Sequence, residues 1–319
     1  MVVTTWVKIC YDNPIFLPNL DTHMTMIHPQ WDPVALHLGP IQAHWYGLMY
    51  LLAFAFAYGL AWYRIKSRPD WNTDMVSDLV FYGAMGVILG GRIGYVLFYQ
   101  LGEFLANPMY LLKINEGGMS FHGGFLGVAI AMWLFARKYK KPVFNVLDFI
   151  IPCVPTGLLF GRMGNFINGE LWGRVSDGGY NWLMLFPQAI NADAALLQQN
   201  PALQSLAVNF NDYWLLPRHP SQLYQAFSEG VVLFVLTWWF ARKPRPRMAV
   251  SGLFVMGYGV ARFITEFFRQ PDADQGFILF DWMTKGQLLS LPMVIFGVVL
   301  LIMAYKQQIY DWGKHKNVD

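Results

Sequence analysis

The sequence predicts an all-α, polytopic membrane protein with about seven transmembrane helices, its amino terminus outside and its carboxyl terminus in the cytoplasm. Three observations support this fold class. Of the 319 residues, 55% are hydrophobic and only 13% are charged, whereas about 25% of the residues in soluble domains are charged. Apolar runs of about 17 to 25 residues, long enough to cross roughly 30 Å of hydrocarbon, recur along the chain. Basic residues cluster beside alternate runs.

Seven apolar runs are candidates for membrane-spanning helices. They cover residues 45–63, 77–99, 120–136, 145–163, 229–241, 250–268 and 287–305. The fifth run is short, and the sequence does not mark clearly where it begins.

Clusters of lysine and arginine follow only the odd-numbered runs. They consist of Arg64, Lys66 and Arg68; Arg137, Lys138, Lys140 and Lys141; Arg242, Lys243, Arg245 and Arg247; and Lys306, Lys314 and Lys316. Because positively charged loops are retained in the cytoplasm, this placement predicts the orientation given above and puts residues 164–228 on the outer face. A count of six or eight helices would break the alternation.

These boundaries predict three regions. Residues 1–44 form an outer-face amino-terminal segment, 45–305 form the seven-helix membrane domain with its insertion at about 164–228, and 306–319 form a cytoplasmic tail. The first 44 residues lack the basic start and compact apolar core of a secretory signal peptide. We interpret 1–27 as a non-essential extension, with Met24 or Met26 as alternative starts to Met1.

Charge and cysteine content exclude several classes of function. The net charge of +3 comes mostly from the clusters beside the apolar runs, so it does not indicate nucleic-acid binding. Cys10 and Cys153 are too few for a disulfide framework, and Cys153 lies in an apolar stretch where a thiol is inert. His122 and His219 lack companion ligands at metal-site spacing, and nothing in the sequence implies a cofactor.

Ionisable residues inside apolar runs are the first candidates for a functional site, because they are unfavourable in lipid. Arg92, Arg162, Arg262 and Glu266 are such residues. Arg262 and Glu266 are four apart on a helix, so a purely structural ion pair is the alternative interpretation. With Tyr258 and Arg269, however, they form a helical stripe that keeps one net positive charge, and a structural stripe would more usually be neutral.

Glycine-rich motifs accompany these residues. Gly86, Gly90 and Gly94 recur every four residues beside Arg92, a spacing that lets another helix approach closely. Residues 161–174, GRMGNFINGELWGR, predict a nest of backbone donors around an anion, although a polar helix exit is the alternative. Residues 117–124, GGMSFHGG, place His122 at the start of the third run, where a merely hydrogen-bonded histidine is the alternative.

The predicted orientation puts the polar residues of the runs on one side of the membrane. Arg92, Arg162 and Arg262 fall in the outer halves of outward-running segments, and Tyr46 and His122 begin inward-running ones. The cytoplasmic halves are almost purely apolar. An arginine-rich site at this depth predicts a lipid ligand with an anionic headgroup, for which phosphatidylglycerol is a good physical candidate.

Five motifs together resemble the bacterial prolipoprotein diacylglyceryl transferase family. They are GGRIGYVLFY, GGMSFHGG, GRMGNFINGELWGR, RHPSQLYQ and ARFITEFFRQPD, and the similarity covers about residues 28–305. The resemblance implies a seven-helix inner-membrane enzyme, without a cofactor, whose active site faces the periplasm. Such an enzyme moves a diacylglyceryl group from phosphatidylglycerol to the lipobox cysteine of a prolipoprotein signal peptide and releases glycerol phosphate.

The resemblance also implies the site residues of this chain. The family's functional positions fall on Tyr46, His122, Arg162, Asn165, Glu170, Gly173, Tyr258, Arg262 and Glu266, with Glu229 at a further carboxylate position. One departure is an amino-terminal extension of about two dozen residues beyond the usual start of family members.

From these positions we predict a catalytic set and a substrate-binding set. The catalytic set is His122, Arg162, Arg262 and Tyr258; the substrate-binding set is Tyr46, Arg92, Asn165, Asn168, Glu170, Gly173, Glu229, Glu266 and Arg269. We hypothesise that His122 assists deprotonation of the thiol while the two catalytic arginines bind the phosphate. Glu266 and Glu170 are predicted to orient arginines. Because no internal nucleophile is evident, we predict a single direct displacement.

Other classes of function remain as alternatives. A lipid transporter or flippase predicts polar residues along the whole membrane depth and often internal repeats. A different lipid-using transferase, such as a phosphoglycerol transferase, predicts a metal site or an internal nucleophile. An intramembrane serine protease is the least supported, because Ser120 and Ser221 lie in no nucleophile-elbow pattern.

Overall fold

The structure is a computed structural model, and it describes residues 26–38, 41–113, 117–176, 182–271, 276–280 and 282–312. The chain is predominantly helical. Its α-helices are α1 Trp45–Arg64, α2 Thr73–Tyr99, α3 Leu101–Ala106, α4 Phe121–Lys138, α5 Val143–Ile150, α6 Val154–Ile167, α7 Ile190–Gln199, α8 Ser221–Gln225, α9 Leu233–Phe240, α10 Ala249–Thr265 and α11 Lys285–Gln307. A π-helix, Ala226–Val232, joins α8 to α9.

The structure also contains short strands, which the predicted all-α fold class did not include. They are β1 Met26–Ile27, β2 Val34–Leu38, β3 Ile41–His44, β4 Met184–Leu185, β5 Val208–Phe210 and β6 Tyr213–Leu215. The strands β2 and β3 pair antiparallel, as do β5 and β6, whereas β1 pairs parallel with β4. All six lie outside the predicted spans, where backbone groups have no helix to satisfy them.

All seven predicted spans lie largely on helices. Within the described ranges, five helical stretches are long and apolar enough to cross a membrane: Trp45–Ser67, Thr73–Tyr99, Val143–Ile167, Ser221–Phe240 and Lys285–Gln307. The helix α10 is apolar but shorter, and α4 carries His122, Arg137 and Lys138, which lower its mean hydropathy. The number of spans and their direction therefore stay predictions.

The structure corrects the fifth predicted span and the insertion before it. We predicted that the span begins at residue 229, but the helix already begins at Ser221. The segment between α6 and this helix is therefore 168–220, shorter than the predicted 164–228. The predicted span did not include residues 221–228, because the motif RHPSQLYQ at 218–225 is polar. The two glutamines and the serine of this motif are nevertheless buried in the fold.

Polar caps explain where the helices begin. Asn72 precedes α2, and its side chain accepts a hydrogen bond from the Met75 amide at 2.8 Å. Ser120 precedes α4 and accepts from the Gly123 amide at 3.2 Å. Such side chains satisfy amides that the first helical turn leaves without a partner.

The chain divides into two compact units, each built from three stretches of sequence. The first comprises Met1–Tyr50, Leu158–Val232 and Tyr258–Pro292, and the second comprises Leu51–Gly157, Leu233–Gly257 and Met293–Asp319. The predicted extension, 1–27, reaches into the first unit: its last two residues form β1, while residues 1–25, including the alternative start Met24, lie outside the described residues. Residues 313–319 of the predicted tail lie outside them as well.

Close packing of α2 against α4 organises the second unit and confirms the prediction from the glycine repeat. A Cβ atom added at Gly90 would lie 2.7 Å from the Gly127 Cα, and one added at Gly94 would lie 2.6 Å from the Gly123 Cα. Any larger side chain at these positions would force the two helices apart. The helices therefore meet backbone to backbone.

Candidate active site

A buried carboxylate in the first unit lies between two predicted catalytic arginines. Glu229, in the π-helix, is fully buried. Its Oε2 accepts hydrogen bonds from Arg162, on α6, at 3.1 Å from Nη2 and 3.3 Å from Nε. Its Oε1 lies 3.7 Å from Nη1 of Arg262, on α10. The structure thus brings together three residues that are far apart in sequence.

A second buried carboxylate continues the cluster. Oε2 of Glu266 lies 2.9 Å from Nη2 of Arg262, and its Oε1 lies 3.3 Å from Nη1 of Arg269. The hydroxyl of Thr284 donates to Oε1 at 3.2 Å. The helix α10 ends at Thr265, so Glu266 and Arg269 lie just beyond the predicted helical stripe. Glu266 nevertheless forms ion pairs with both Arg262 and Arg269.

Gly286 allows Glu266 to take this position. A Cβ atom added at Gly286 would lie 2.6 Å from the carboxyl carbon of Glu266. Neither Gly286 nor Thr284 was predicted, because both lie just before the last apolar run and carry no charge.

The cluster keeps a positive charge and an available donor. Three arginines surround two glutamates, so one net positive charge remains when all are ionised. The side chains of Arg162 and Arg262 are 18% and 15% exposed. Nη1 of Arg262 is buried and donates no hydrogen bond to any residue in the described ranges. Arginine binds phosphate oxygens well because its planar group donates several hydrogen bonds.

The π-helix explains how Glu229 reaches the cluster. Its wider turn shifts the register of side chains, and such segments are frequent at functional sites. The next residue, Gly230, packs against α6, where an added Cβ atom would lie 2.8 Å from the Leu159 Cβ. The family resemblance marked Glu229, but no pattern in the sequence signals the change from α- to π-helix.

Two tyrosines of the predicted site lie next to the arginines. The Tyr258 hydroxyl is hydrogen-bonded with Arg162 and interacts electrostatically with Glu229. Tyr46 packs over Gly164, whose added Cβ atom would lie 3.0 Å from the tyrosine ring. Tyr46 also interacts electrostatically with Arg162 and Glu170. Both tyrosines can therefore contact whatever the arginines bind.

The end of α6 supplies three more predicted residues. Asn165 is 7% exposed, and its side chain forms no hydrogen bond with another described residue, which leaves a buried amide free to bind substrate. Nδ2 of Asn168 donates to Oε1 of Glu170 at 3.2 Å. The hydrogen-bond partner of Glu170 is therefore an asparagine and not the arginine that we predicted.

Gly173 sits where two chain segments pass close together. Its amide donates to the His219 carbonyl at 2.9 Å, and it bridges to Arg269. A Cβ atom added at Gly173 would lie 2.5 Å from the Phe268 carbonyl oxygen. The role of this glycine is therefore close backbone contact behind the arginine cluster.

The predicted anion nest is not what the structure contains. Residues 161–167 are the last turns of α6, so their amides serve the helix. Arg174 donates to the carbonyl of Arg269 at 2.9 Å and to that of Glu266 at 3.3 Å. Arg174 therefore holds the backbone of the cluster instead of an anion.

Behind Gly173 lies a buried ion pair that sequence analysis missed. Nε of Arg218 donates to Oδ1 of Asp193 at 2.9 Å, and its Nη1 donates to the Gly173 carbonyl at 3.0 Å. Both charged residues are fully buried. Arg218 belongs to the RHPSQLYQ motif, but Asp193 lies in a polar, alanine-rich stretch that gave no signal.

His122 and Arg92 belong to the second unit. His122 is exposed at the second position of α4, and it makes no hydrogen bond with a described residue. Arg92 is 2% exposed, and its guanidinium donates to the carbonyls of Tyr110 and Gly117 at 2.6 Å each. A substrate contact by Arg92 would have to replace these bonds, so the structure gives it a supporting role for the segment before α4.

The described part of the site contains no set of side chains arranged to bind a metal ion. Across the described ranges, no group of three histidine, cysteine, aspartate or glutamate side chains converges as metal ligands do.

Comparison with known proteins shows the family of the chain. A family model described as prolipoprotein diacylglyceryl transferase matches residues 33–303. A protein of Psychrobacter arcticus named phosphatidylglycerol–prolipoprotein diacylglyceryl transferase is 72% identical over 91% of this chain and 98% of its own length. Proteins of that name from Acinetobacter baumannii strain ACICU and Acinetobacter baylyi are 60% and 59% identical, over 92% and 91% of this chain and 99% and 98% of theirs. Because the family model spans most of the sequence, the chain belongs to the prolipoprotein diacylglyceryl transferase family.

Proposed function

We propose that this protein transfers the diacylglyceryl group of phosphatidylglycerol to a prolipoprotein and releases glycerol phosphate. The shared name of the relatives states both substrates. The buried cluster of Arg162, Glu229 and Arg262 is the observation in this chain that carries the proposal, because it offers a positive site for a phosphodiester. The acceptor is the thiol of the lipobox cysteine at the end of the precursor's signal peptide.

The two arginines bind the phosphate and stabilise the charge that develops on it. When the bond between the diacylglycerol carbon and the phosphate ester oxygen breaks, the oxygen keeps the bonding electrons. The phosphodiester thereby becomes a phosphate monoester. Arg162 and Arg262, whose side chains are 18% and 15% exposed, are the donors that take up this charge. Removing one preorganised donor of this kind typically lowers rates by about 10²- to 10³-fold.

The attacking group is a thiolate, and His122 assists its formation. A free thiol has a pKa near 8.5, so only a few per cent is ionised at neutral pH. The proton moves to the imidazole, the sulfur attacks the glycerol carbon, and a thioether forms as the carbon–oxygen bond breaks. The exposed position of His122 on α4 is compatible with access by a protein substrate.

The remaining predicted residues orient the headgroup. Asn165 offers a buried amide, and Tyr46 and Tyr258 offer hydroxyls beside Arg162. Glu170 and Asn168 form a polar pair at the end of α6. Gly173 holds the backbone of Arg269 in place. Arg269 in turn holds the carboxylate of Glu266.

We propose that the chain crosses the bacterial inner membrane seven times, with its amino terminus and site towards the periplasm. Five helical stretches and two shorter or more polar helices coincide with the seven predicted runs. The basic clusters after odd-numbered runs support this direction. The insertion at 168–220 then lies outside, where it meets exported precursors.

The test uses the purified full-length protein in detergent with phosphatidylglycerol and a lipobox peptide containing one cysteine. Mass spectrometry is expected to detect the diacylglyceryl thioether on the peptide together with released glycerol phosphate. A peptide with serine in place of the cysteine should gain no mass. An Arg162→Ala enzyme should lose at least about 10²-fold in kcat/KM, because its phosphate contact is gone.

Arg242→Ala is the matched control, since Arg242 is an exposed arginine outside the cluster and its loss should leave the rate within about twofold. Thermal unfolding of each variant separates a damaged site from a damaged fold. If the folded wild-type protein produces no thioether, the transferase proposal fails, and transport of an anionic phospholipid becomes the better explanation of the arginine cluster.

A further inference from the structure

A second group of basic side chains surrounds a cavity formed by residues of the second unit alone. The cavity has a volume of about 20 Å³, and it is partly open to solvent. Its basic lining residues are Arg64, Arg68, Lys243 and Arg245, and Asp148 and Asp311 complete the charged lining. None of these residues belongs to the proposed transfer site.

Arg64 is the residue that points to a ligand. It is the last residue of α1, and it is 7% exposed. Its Nε donates to no acceptor in the described part of the chain. Its guanidinium lies over the rings of Phe149 and Trp238, at 5.6 and 5.7 Å from their centres. Burying a charged donor without an acceptor is unfavourable, so an anion in the cavity would stabilise it.

The two carboxylates of the lining balance only part of the charge of its four basic residues. Asp148 accepts from the amides of Met248 and Ser251 at 2.7 and 2.8 Å, and from the Ser251 hydroxyl at 2.5 Å. Asp311 is paired with Arg247. The cavity therefore keeps a surplus of positive charge.

The other basic groups differ in how far they are committed. Arg68 pairs with Asp70, with its Nε 2.9 Å from Oδ1. Nε of Arg245 donates to the Phe240 carbonyl at 3.0 Å, which leaves the terminal nitrogens of Arg245 for another partner. Lys243 is exposed at the rim. The cavity thus combines two buried cations, Arg64 and Arg68, with an exposed Lys243 and a half-buried Arg245.

We propose that this cavity binds a phosphate group, either the phosphate of an anionic lipid headgroup or free inorganic phosphate. Arginine pairs with phosphate through several parallel hydrogen bonds, and basic pockets at the inner ends of membrane helices suit lipid headgroups. All four basic residues belong to the clusters that the positive-inside rule places in the cytoplasm. The ligand is therefore taken from the inner leaflet or the cytosol, and the proposal does not depend on the transfer reaction.

The experiment measures ligand-dependent thermal stabilisation of the full-length protein in an uncharged detergent and a sulfonate buffer at fixed ionic strength. One arm titrates inorganic phosphate, and the other titrates phosphatidic acid with phosphatidylcholine of the same acyl chains as the zwitterionic reference. The variants are Arg64→Gln and the double variant Lys243→Gln/Arg245→Gln. The matched control is Arg242→Gln, which removes a neighbouring exposed charge that does not line the cavity.

Both cavity variants are expected to weaken the apparent Kd at least tenfold, and the control should match the wild type. Since all proteins keep the Arg162 cluster, only the difference between variant and control reports this cavity. If Arg64→Gln misfolds, the double variant still tests the proposal, because Lys243 and Arg245 lie at the rim of the cavity. Stabilisation by inorganic phosphate identifies a free anion, and stabilisation by phosphatidic acid alone identifies a lipid headgroup. Equal Kd values in the cavity variants and the control, in both arms, would overturn the proposal.

Discussion

Nη1 of Arg262 and Oε1 of Glu229 face each other across 3.7 Å, which is longer than a hydrogen bond although both atoms are buried. Neither atom has a hydrogen-bond partner within the described ranges. A hydroxyl group donates and accepts at the same time, so a hydroxyl beside this pair would accept from Arg262 and donate to Glu229. Phosphatidylglycerol carries hydroxyls on its terminal glycerol, whereas many other phospholipids do not.

Glu229 is therefore expected to select the headgroup. We predict that the Glu229→Gln variant loses about tenfold of the wild-type preference for phosphatidylglycerol over the same lipid without terminal hydroxyls. The reason is that hydrogen bonds to a charged acceptor are roughly twice as strong as those to a neutral one. The measurement is kcat/KM for the two lipids. Glu103→Gln, which removes an exposed carboxylate on α3, should keep the full preference, and an unchanged preference in Glu229→Gln would contradict this assignment.

Gly286→Ala is predicted to lower activity while the protein stays folded. The added methyl group would meet the Glu266 carboxylate, which must then move away from Arg262. We expect kcat/KM to fall about tenfold, with a much smaller effect on the unfolding temperature because the displaced group is the end of a side chain. Gly102→Ala is the control, since nothing lies within 4 Å of its added Cβ atom. Equal activity of the two variants would show that the position of Glu266 is unimportant.

His122→Gln is predicted to lower kcat by about 10²- to 10⁴-fold, the usual contribution of a positioned proton acceptor. Its residual rate should rise with pH up to the pKa of the free thiol, near 8.5, because the substrate must then ionise without help. A pH–rate profile with the lipobox peptide measures this. Activity close to wild type at neutral pH would remove His122 from the mechanism. It would mean that the positive charge of the arginines is sufficient to favour ionisation of the thiol.

Stability is predicted to fall as the pH falls below about 6.5, in part because of His28. This ring is buried, and burial lowers the pKa of His28 below its ordinary value; it also contacts the Phe166 carbonyl through Nε2 at 2.6 Å. As the pH drops, His28 binds a proton more readily in the unfolded chain than in the folded chain. The free energy of unfolding therefore falls by up to about 1.36 kcal/mol per pH unit.

Unfolding temperatures between pH 5 and 8 test this expectation. His28→Gln keeps a donor for Phe166 but cannot titrate, so its unfolding temperature should vary less with pH. His37→Gln removes an exposed ring of the same segment and should keep the wild-type slope. A wild-type slope in His28→Gln would exclude His28 as the source.

The proposed orientation predicts which loops a membrane-impermeant thiol reagent can label in intact spheroplasts. A cysteine at Asp212, between β5 and β6, should be labelled directly. A cysteine at Arg242 should be labelled only after the membrane is opened. Both positions are exposed, and both variants require replacement of the native cysteines. Labelling in the opposite order would reverse the proposed direction of every helix.

Helical periodicity and glycine spacing could be predicted from the sequence because both are local. The spacing of Arg262, Glu266 and Arg269 predicted contacts among them, and the structure shows these at 2.9 and 3.3 Å, although α10 ends at Thr265. The repeat of Gly90 and Gly94 likewise predicted the close approach of α2 to another helix, and α4 is that helix. Neither inference needed knowledge of distant residues.

The parts of the site that depend on distant contacts could not be predicted in this way. The contact of Glu229 with both arginines requires the π-helix, whose energy depends on packing around it. The role of Arg92 depends on carbonyls of a loop that follows it, and charge alone made it resemble a ligand-binding residue. The pair of Asp193 and Arg218 joins segments whose spacing carries no signal.

The parallel pairing of β1 with β4 imposes an order on biosynthesis. Met26 and Ile27 leave the ribosome before any of the described helices, yet their partners, Met184 and Leu185, are made only after α6 has been completed. A parallel pair gains its hydrogen bonds only when both strands are present, after a long loop has closed. The strand β1 must therefore remain unpaired until more than half of the chain has been translated.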